Sequence, residues 1–227
     1  MVATHNVLTI DGPSGVGKGT VSKLIAEKLG WHYLDSGVLY RAAALSVEKA
    51  GLLAADDDAI AQHVRSASVV LERQESGGML VLVDGMDSTA QVRLESTGMA
   101  ASRIAAIGAV RAALLELQRS FFKKPGLIAD GRDMGTVVFY DAPYKVFLTA
   151  RASVRARRRY EQLSQAGQSP CLAEITEQIE SRDRLDSERG VSPLKAADDA
   201  IVVDSSSLGI DEVVSRILGS FGLGHEK

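Results

Sequence analysis

The chain is poor in cysteine: among its 227 residues there is one, Cys171. That excludes an intramolecular disulfide and a multi-cysteine zinc site, and it suits a reducing compartment. An excess of either charge is missing too, with 26 Lys+Arg against 29 Asp+Glu and a formal net charge of -3. A protein that coats nucleic acid or an anionic membrane would be far more lopsided, so any anion bound here must meet a local basic cluster. No uninterrupted apolar run approaches the roughly 20 residues of a membrane span. No secretory leader is expected either, because the strand-like Val7-Leu8-Thr9-Ile10 follows closely on Met1. Internal repeats, heptads and long low-complexity tracts are absent as well. These absences lead to the expectation of a cytoplasmic monomer that engages neither nucleic acid nor membrane. What is present, 45% hydrophobic and 24% charged residues, fits one globular domain with a substantial core and rules out disordered, collagen-like and coiled-coil chains.

The periodicities alternate between strand and helix. Asn6 to Asp11 is β-branched and apolar, ends in a glycine-rich turn, and is followed by helical spacing from Lys18 to Leu29. Trp31 to Leu34 predicts a second strand, and Val38 to Ala50 a helix that Asp35 or Ser36 could cap. Asp56-Asp57-Asp58 opens a further short helix, with acids where its dipole favours them. Between about Ser68 and Thr89 the pattern becomes strand, turn, strand: Val69 to Gln74, the turn Glu75-Ser76-Gly77-Gly78, then Met79 to Asp84. Helical spacing returns from Gln91 to Phe122, broken near Ile107-Gly108. Strands are expected at Leu127–Asp130, Tyr144–Leu148 and Ile201–Asp204, with helices at Ser153–Ala166, Leu172 to about Glu188, and Asp211–Phe221. Alternating helices and wholly apolar strands imply an α/β architecture, a parallel sheet flanked by helices, with the antiparallel stretch as an insertion.

Gly12-Pro13-Ser14-Gly15-Val16-Gly17-Lys18-Gly19-Thr20 fits G-x-x-x-x-G-K between a strand and a helix. The glycines let successive N–H groups point inward, the helix terminus adds partial positive charge, and Lys18 can reach the terminal phosphates of a nucleotide. After Lys18 comes Gly19, and the hydroxyl arrives one place later at Thr20. That order resembles nucleotide kinases more than switch GTPases or motor ATPases. Asp130, closing an apolar strand, is a candidate for holding Mg²⁺ or its waters, or equally for capping a turn.

Three more segments carry arginine beside glycine or acid. They are Asp35-Ser36-Gly37-x-x-Tyr40-Arg41, Asp130-Gly131-Arg132-Asp133-Met134-Gly135-Thr136, and Arg182-Asp183-Arg184-Leu185-Asp186-Ser187-Glu188-Arg189. Taken singly, Arg41 could be a solvated helix residue and the 182–189 run a salt-bridged surface. Taken together, they suit an enzyme that must neutralise two phosphate groups held in line.

With Ala101-Ser102 and Pro193-Leu194, these motifs resemble bacterial cytidylate kinase in order and spacing over nearly the whole chain. The resemblance implies a P-loop kinase fold over 1–227, with an inserted NMP-binding sub-domain at 37–102 that contains the small antiparallel sheet, and a helical lid at 153–190. It implies transfer of the γ-phosphoryl of ATP to CMP or dCMP with Mg²⁺. Gly12 to Thr20 would bind ATP, with Arg158 from the lid. Ser36, Arg41, Arg132 and Arg189 would meet the monophosphate, Ser102, Arg111 and Asp133 would read cytosine, Asp186 would hold the ribose, and Arg182 completes the substrate set. Lys18, Arg41, Arg132 and Arg189 would serve the transfer itself. Asp133 can accept from the cytosine amino group while Arg111 donates to the ring acceptors, a pattern that uracil reverses. Two departures stand out: Leu185 where the family's lid motif commonly has a basic residue, and the weakly polar Gly98-Met99 ahead of Ala101-Ser102. The competing readings are a monophosphate kinase with another base preference and a GTP-binding switch. The switch is disfavoured by the lack of an Asn-Lys-x-Asp guanine-reading motif.

Overall fold

The computed structural model describes residues 6–74 and 78–224, and the chain divides into two compact units, one of residues 1–34 and 121–227 and the other Asp35–Ser120. Most of the turn expected at 75–78 lies outside the described residues.

The first unit is built on a five-stranded sheet: β1 (Val7–Asp11), β2 (His32–Asp35), then β6 (Leu127–Gly131), β7 (Tyr144–Thr149) and β8 (Ile201–Asp204), in the order β2-β6-β1-β7-β8. β1 runs parallel to β6, with Ile10 opposite Asp130, and parallel to β7, with Ile10 opposite Val146; β7 runs parallel to β8. Every residue of β1 and β6 is buried, which is why these strands are continuous apolar runs and not alternating ones. Helices α1 (Lys18–Leu29), α6 (Ala152–Gln165), α7 (Leu172–Glu188) and α8 (Ile210–Ser220) belong to the same unit. Ile25 of α1 and Ile217 of α8 pack with Leu8, Ile10, Ile128 and Leu148 of the sheet, all with no residual exposure. Each such side chain contributes about 1.5–3 kcal/mol by leaving water. α1 ends at Gly30 in the left-handed region, whose N–H donates back to the helix. α6 and α7 pair through Ala156, Ile175 and Ile179, with Tyr160 and Leu163 against them.

The second unit holds α2 (Ser36–Lys49), α3 (Asp57–Ser66), the strands β3 (Val69–Arg73), β4 (Met79–Val83) and β5 (Met86–Asp87), then α4 (Glu95–Ile104) and α5 (Gly108–Ser120). β3 and β5 flank β4 antiparallel. Asp35 caps α2 by accepting from the Val38 N–H at 3.0 Å, and Asp56 caps α3 by accepting from the Ala59 N–H at 2.8 Å. α4 and α5 bend by 106° at the break between them. Leu39, Val47, Ile60, Ile104 and Leu114 join four of these helices in one core. The sheet packs Val81 and Val83 against Ala42 and Leu45 of α2.

Candidate active site

The turn after β1 is shaped by backbone crowding. A Cβ on Gly12 would stand 2.0 Å from the Leu148 carbonyl oxygen, and Gly12 has φ +153, so no side chain fits there. Gly15 and Gly17 take φ of +74 and +98, and Gly17 is the N-cap of α1 with no side-chain cap. The first N–H groups of α1 therefore face the loop, as an anion requires. Lys18 is buried; its Nζ donates to the Pro13 carbonyl at 2.9 Å and lies 4.0 Å from Asp130 Oδ1. Asp130 also accepts from the Tyr33 hydroxyl at 3.3 Å. A Cβ on Gly19 would come 3.6 Å from both Asp130 Oδ2 and the Tyr33 hydroxyl oxygen, so the glycine after Lys18 lies directly against this pair.

Two arginines of α6 brace the loop. Arg155 is buried and donates to the Ser14 carbonyl at 2.9 Å and the Ala150 carbonyl at 3.0 Å, and it forms a forked pair with Asp183 of α7 at 3.1 and 2.5 Å. Arg158 donates to the Val16 carbonyl at 3.4 Å and to Ser205 at 3.2 Å (hydroxyl) and 2.7 Å (carbonyl). Arg157, by contrast, faces solvent with Glu161.

The acidic strand ends sit beside the loop. Asp11, the last residue of β1, is buried and accepts from the Met134 and Gly135 N–H groups, each at 2.8 Å. Burial pushes its carboxyl up to about 6, reinforced by the charge of Asp133 and opposed by the two N–H groups and Lys18. Arg132 donates from Nε to Asp186 Oδ2 at 2.7 Å. Burial works against both charges, yet the pair wins: Asp186 is held below the usual carboxylate range by Arg132, with Arg182 and Arg189 adding to it, and Arg132 is held above its ordinary value. Arg189 turns its Nε onto the Ser192 carbonyl at 2.5 Å. Asp133 is buried, and Leu185 is exposed on α7.

The other expected residues belong to the second unit. Ser36 is buried at the start of α2. Arg41 donates to the carbonyls of Val92 at 3.0 Å and Leu94 at 2.8 Å. A Cβ on Gly98 would come 2.6 Å from its guanidinium, so the residue noted as a departure makes room for the arginine. Arg111 is buried, donates to the Ala105 carbonyl at 3.1 Å, and stands 5.4 Å from the centre of the Tyr40 ring. Ser102 is half-buried on α4.

The family model for cytidylate kinase matches residues 8–222. The chain belongs to the cytidylate kinase family. It is therefore a nucleoside monophosphate kinase with a P-loop kinase fold. Among solved structures it is similar to an uncharacterized protein from Eubacterium ventriosum, at 10% identity over 96% of this chain and 98% of that one, with a TM-score of 0.50. It also aligns with a shikimate kinase from Bacteroides thetaiotaomicron, at 16% identity over 96% and 99% of the two chains, with a TM-score of 0.47. The first of these likenesses concerns the fold alone. No single helix among the described residues is long and apolar enough to cross a membrane.

Near this loop the structure also places residues to which the motif reading gave no individual role. Asp11 carried one signal, an acid closing an otherwise apolar strand. Arg155 carried another, since it adjoins Ala156, which marks the packed face of α6. Its partner Asp183 lies 28 residues on, inside the 182–189 motif, which carried no sign of this pairing.

Proposed function

We propose that the chain transfers the γ-phosphoryl group of ATP to CMP or dCMP, giving ADP and CDP or dCDP, and that it does so in the cytoplasm as a monomer. The observation that supports this most directly is the crowding of the phosphate loop, Lys18, Asp130, Arg132 and Asp133 at the carboxyl ends of the adjacent strands β1 and β6, the end at which open α/β sheets bind ligands.

The acceptor phosphate needs no strong base, because its second pKa is about 6 and it is mostly dianionic at neutral pH. The protein's task is to hold two anionic groups in line and to neutralise the charge that spreads over the moving phosphoryl. The loop N–H groups and Lys18 would serve the ATP side, with Arg158 beside Val16. Ser36, Arg41, Arg132 and Arg189 would serve the acceptor phosphate and the moving group. Ser102, Arg111 and Asp133 would read cytosine. Asp186 would hold the ribose through the carboxylate that also anchors Arg132, with Arg182 beside it.

Among the described residues there is no cluster of three or more His, Cys, Asp or Glu side chains fit to cage a metal. Mg²⁺ in such enzymes takes most of its ligands from phosphates and water, so a single buried oxygen donor fits it. Asp130 would be that donor, directly or through water, and Mg²⁺ bound with ATP would supply charge neutralisation at the phosphates.

The test is a coupled assay of ADP release with ATP, Mg²⁺ and, one at a time, CMP, dCMP, UMP, AMP and GMP, beside a control without acceptor. Fast turnover on CMP and dCMP with weak turnover on UMP is the expected result. A different preferred base would keep the kinase and discard the roles given to Ser102, Arg111 and Asp133. ADP release without any acceptor would overturn the transfer reading.

A further inference from the structure

The segment that follows β6 folds in an unusual way. Met134–Val138 is one turn of π-helix, closed by the Val138 N–H on the Asp133 carbonyl at 3.2 Å and the Phe139 N–H on the Met134 carbonyl at 2.7 Å. Such turns are rare and concentrate at functional sites. The first N–H groups of the turn point away from its own carbonyls and need acceptors from elsewhere. Asp11 provides them from 123 residues away: Oδ1 takes the Met134 N–H and Oδ2 the Gly135 N–H, both at 2.8 Å. The fit is close on every side. A Cβ on Gly135 would stand 2.8 Å from Thr9 Oγ1, 3.3 Å from Lys145 Cδ and 3.4 Å from Asp11 Oδ2.

We propose that Asp11 is a positioning residue for the acceptor: its carboxylate holds the backbone turn that aims Arg132 and Asp133, and so joins the strand leading into the phosphate loop to the segment that reads the acceptor. The inference rests on the acceptor-side roles given above to Arg132 and Asp133. Stability alone is a poor reason for the arrangement. The carboxylate is almost wholly removed from water, at 4% exposure, in a strand otherwise made of Val, Leu, Thr and Ile, and a buried charge is costly unless something needs it there. It also lies within electrostatic reach of a second buried acid, Asp133, an unfavourable placement of the kind that collects at functional sites. The two N–H bonds spend both carboxylate oxygens on one turn, and that turn immediately follows Arg132-Asp133.

Asp11→Asn tests this. An asparagine offers one acceptor oxygen and turns two N–H donors toward the other backbone N–H, so one bond is lost and a donor faces a donor. The measurements are KM and kcat for the preferred acceptor and for ATP separately, the CMP-to-UMP ratio of kcat/KM, and direct binding of the monophosphate by calorimetry. The expected result is a folded variant whose acceptor KM rises about tenfold or more, as befits lost hydrogen bonds to a charged group. Its CMP preference falls, and its ATP KM stays within about threefold. Gly135→Ala pushes the same turn from the other side and should reproduce the acceptor defect, which keeps the test alive if Asp11→Asn fails to fold. An acceptor KM and base preference left unchanged in either folded variant overturn the proposal, as does an equal loss for ATP and acceptor, which would mark a general disturbance of the loop. The wild-type acceptor screen reports separately on the functional reading. If the wild type prefers another base, the cytosine assignment fails, and the variants are then judged on that acceptor.

Discussion

Two arginines, one in each unit, make different hydrogen bonds. Arg132, in the first unit, is clasped by a carboxylate, Asp186, with Arg182 and Arg189 contributing to the same electrostatic cluster. Arg41, in the second, donates to the carbonyls of Val92 and Leu94. A carbonyl fixes a guanidinium without cancelling its charge, whereas a carboxylate fixes it and neutralises much of its field. The carbonyls of Val92 and Leu94 help set the direction of the Arg41 guanidinium. The first unit instead works as a network in which Lys18 with Asp130, Arg132 with Asp186 and Arg155 with Asp183 hold geometry as much as they supply charge.

The largest expected effect tests whether any member of that network is a source of charge first. Lys18→Ala should lower kcat by at least about 1,000-fold, the scale of losing a group that stabilises transition-state charge. The far-UV circular dichroism should keep its shape while the melting temperature falls, because buried Asp130 loses a cationic neighbour 4.0 Å away. Near-normal turnover would take the loop out of the chemistry.

Next comes the clasp itself. Arg132→Ala strips Asp186 of its close partner while leaving it buried, so unfolding in denaturant should show a loss of about 2–3 kcal/mol, moderated by the remaining charge of Arg182 and Arg189. Removing both sides in Arg132→Ala/Asp186→Ala should cost less stability than the arginine change alone. Activity should be no better in the double variant. If the single and double variants are equally stable, the pair is not a structural clasp, and the contrast with Arg41 fails.

How much of this could be read from residues alone follows the same division. α1 lies where the spacing put it, from Lys18 to Leu29, and the strands Val7–Asp11 and Ile201–Asp204 match their apolar runs, because both periodicity and the loop motif are local signals. The break between α4 and α5 falls at the expected Ile107-Gly108. The two-residue β5 is too short to have a period. The π-turn at Met134–Val138 escaped because its capping carboxylate comes from Asp11, 123 residues earlier. The Arg132–Asp186 clasp likewise joins positions 54 apart. Motifs mark candidate residues, and only the fold reveals which of them hold one another.

The titration of the first unit offers a further separation. Burial raises the Asp11 carboxyl from 3.8 to about 6. A group raised on folding favours the folded state fully below its unfolded value and loses that advantage as pH climbs through the folded one. Between about pH 4 and 6.5 the protein should therefore lose on the order of 3 kcal/mol through this residue. Asp186 has the opposite sign: its contribution stands above the unfolded value of 3.8 and disappears as pH falls through its lower folded value. Denaturant titrations at fixed pH should show the decline on the neutral side in the wild type and its absence in Asp11→Asn. The same slope in both would assign it to another group.

The smallest effect is expected at the Arg41 hydrogen bonds to Val92 and Leu94, and it should separate stability from function. Gly98 lies inside α4, where alanine is favoured over glycine by up to about 1 kcal/mol. Its Cβ would sit 2.6 Å from the Arg41 guanidinium, the flexible end of a side chain that can yield by giving up its bonds to Val92 and Leu94. Gly98→Ala should therefore leave the melting temperature unchanged or slightly higher while raising the acceptor KM about threefold to tenfold, the scale of one weakened charged hydrogen bond. ATP affinity should not respond. A more stable protein that binds its acceptor less well would show that the orientation of Arg41 serves acceptor binding. An unchanged acceptor KM would show that its two carbonyl bonds orient nothing the reaction uses.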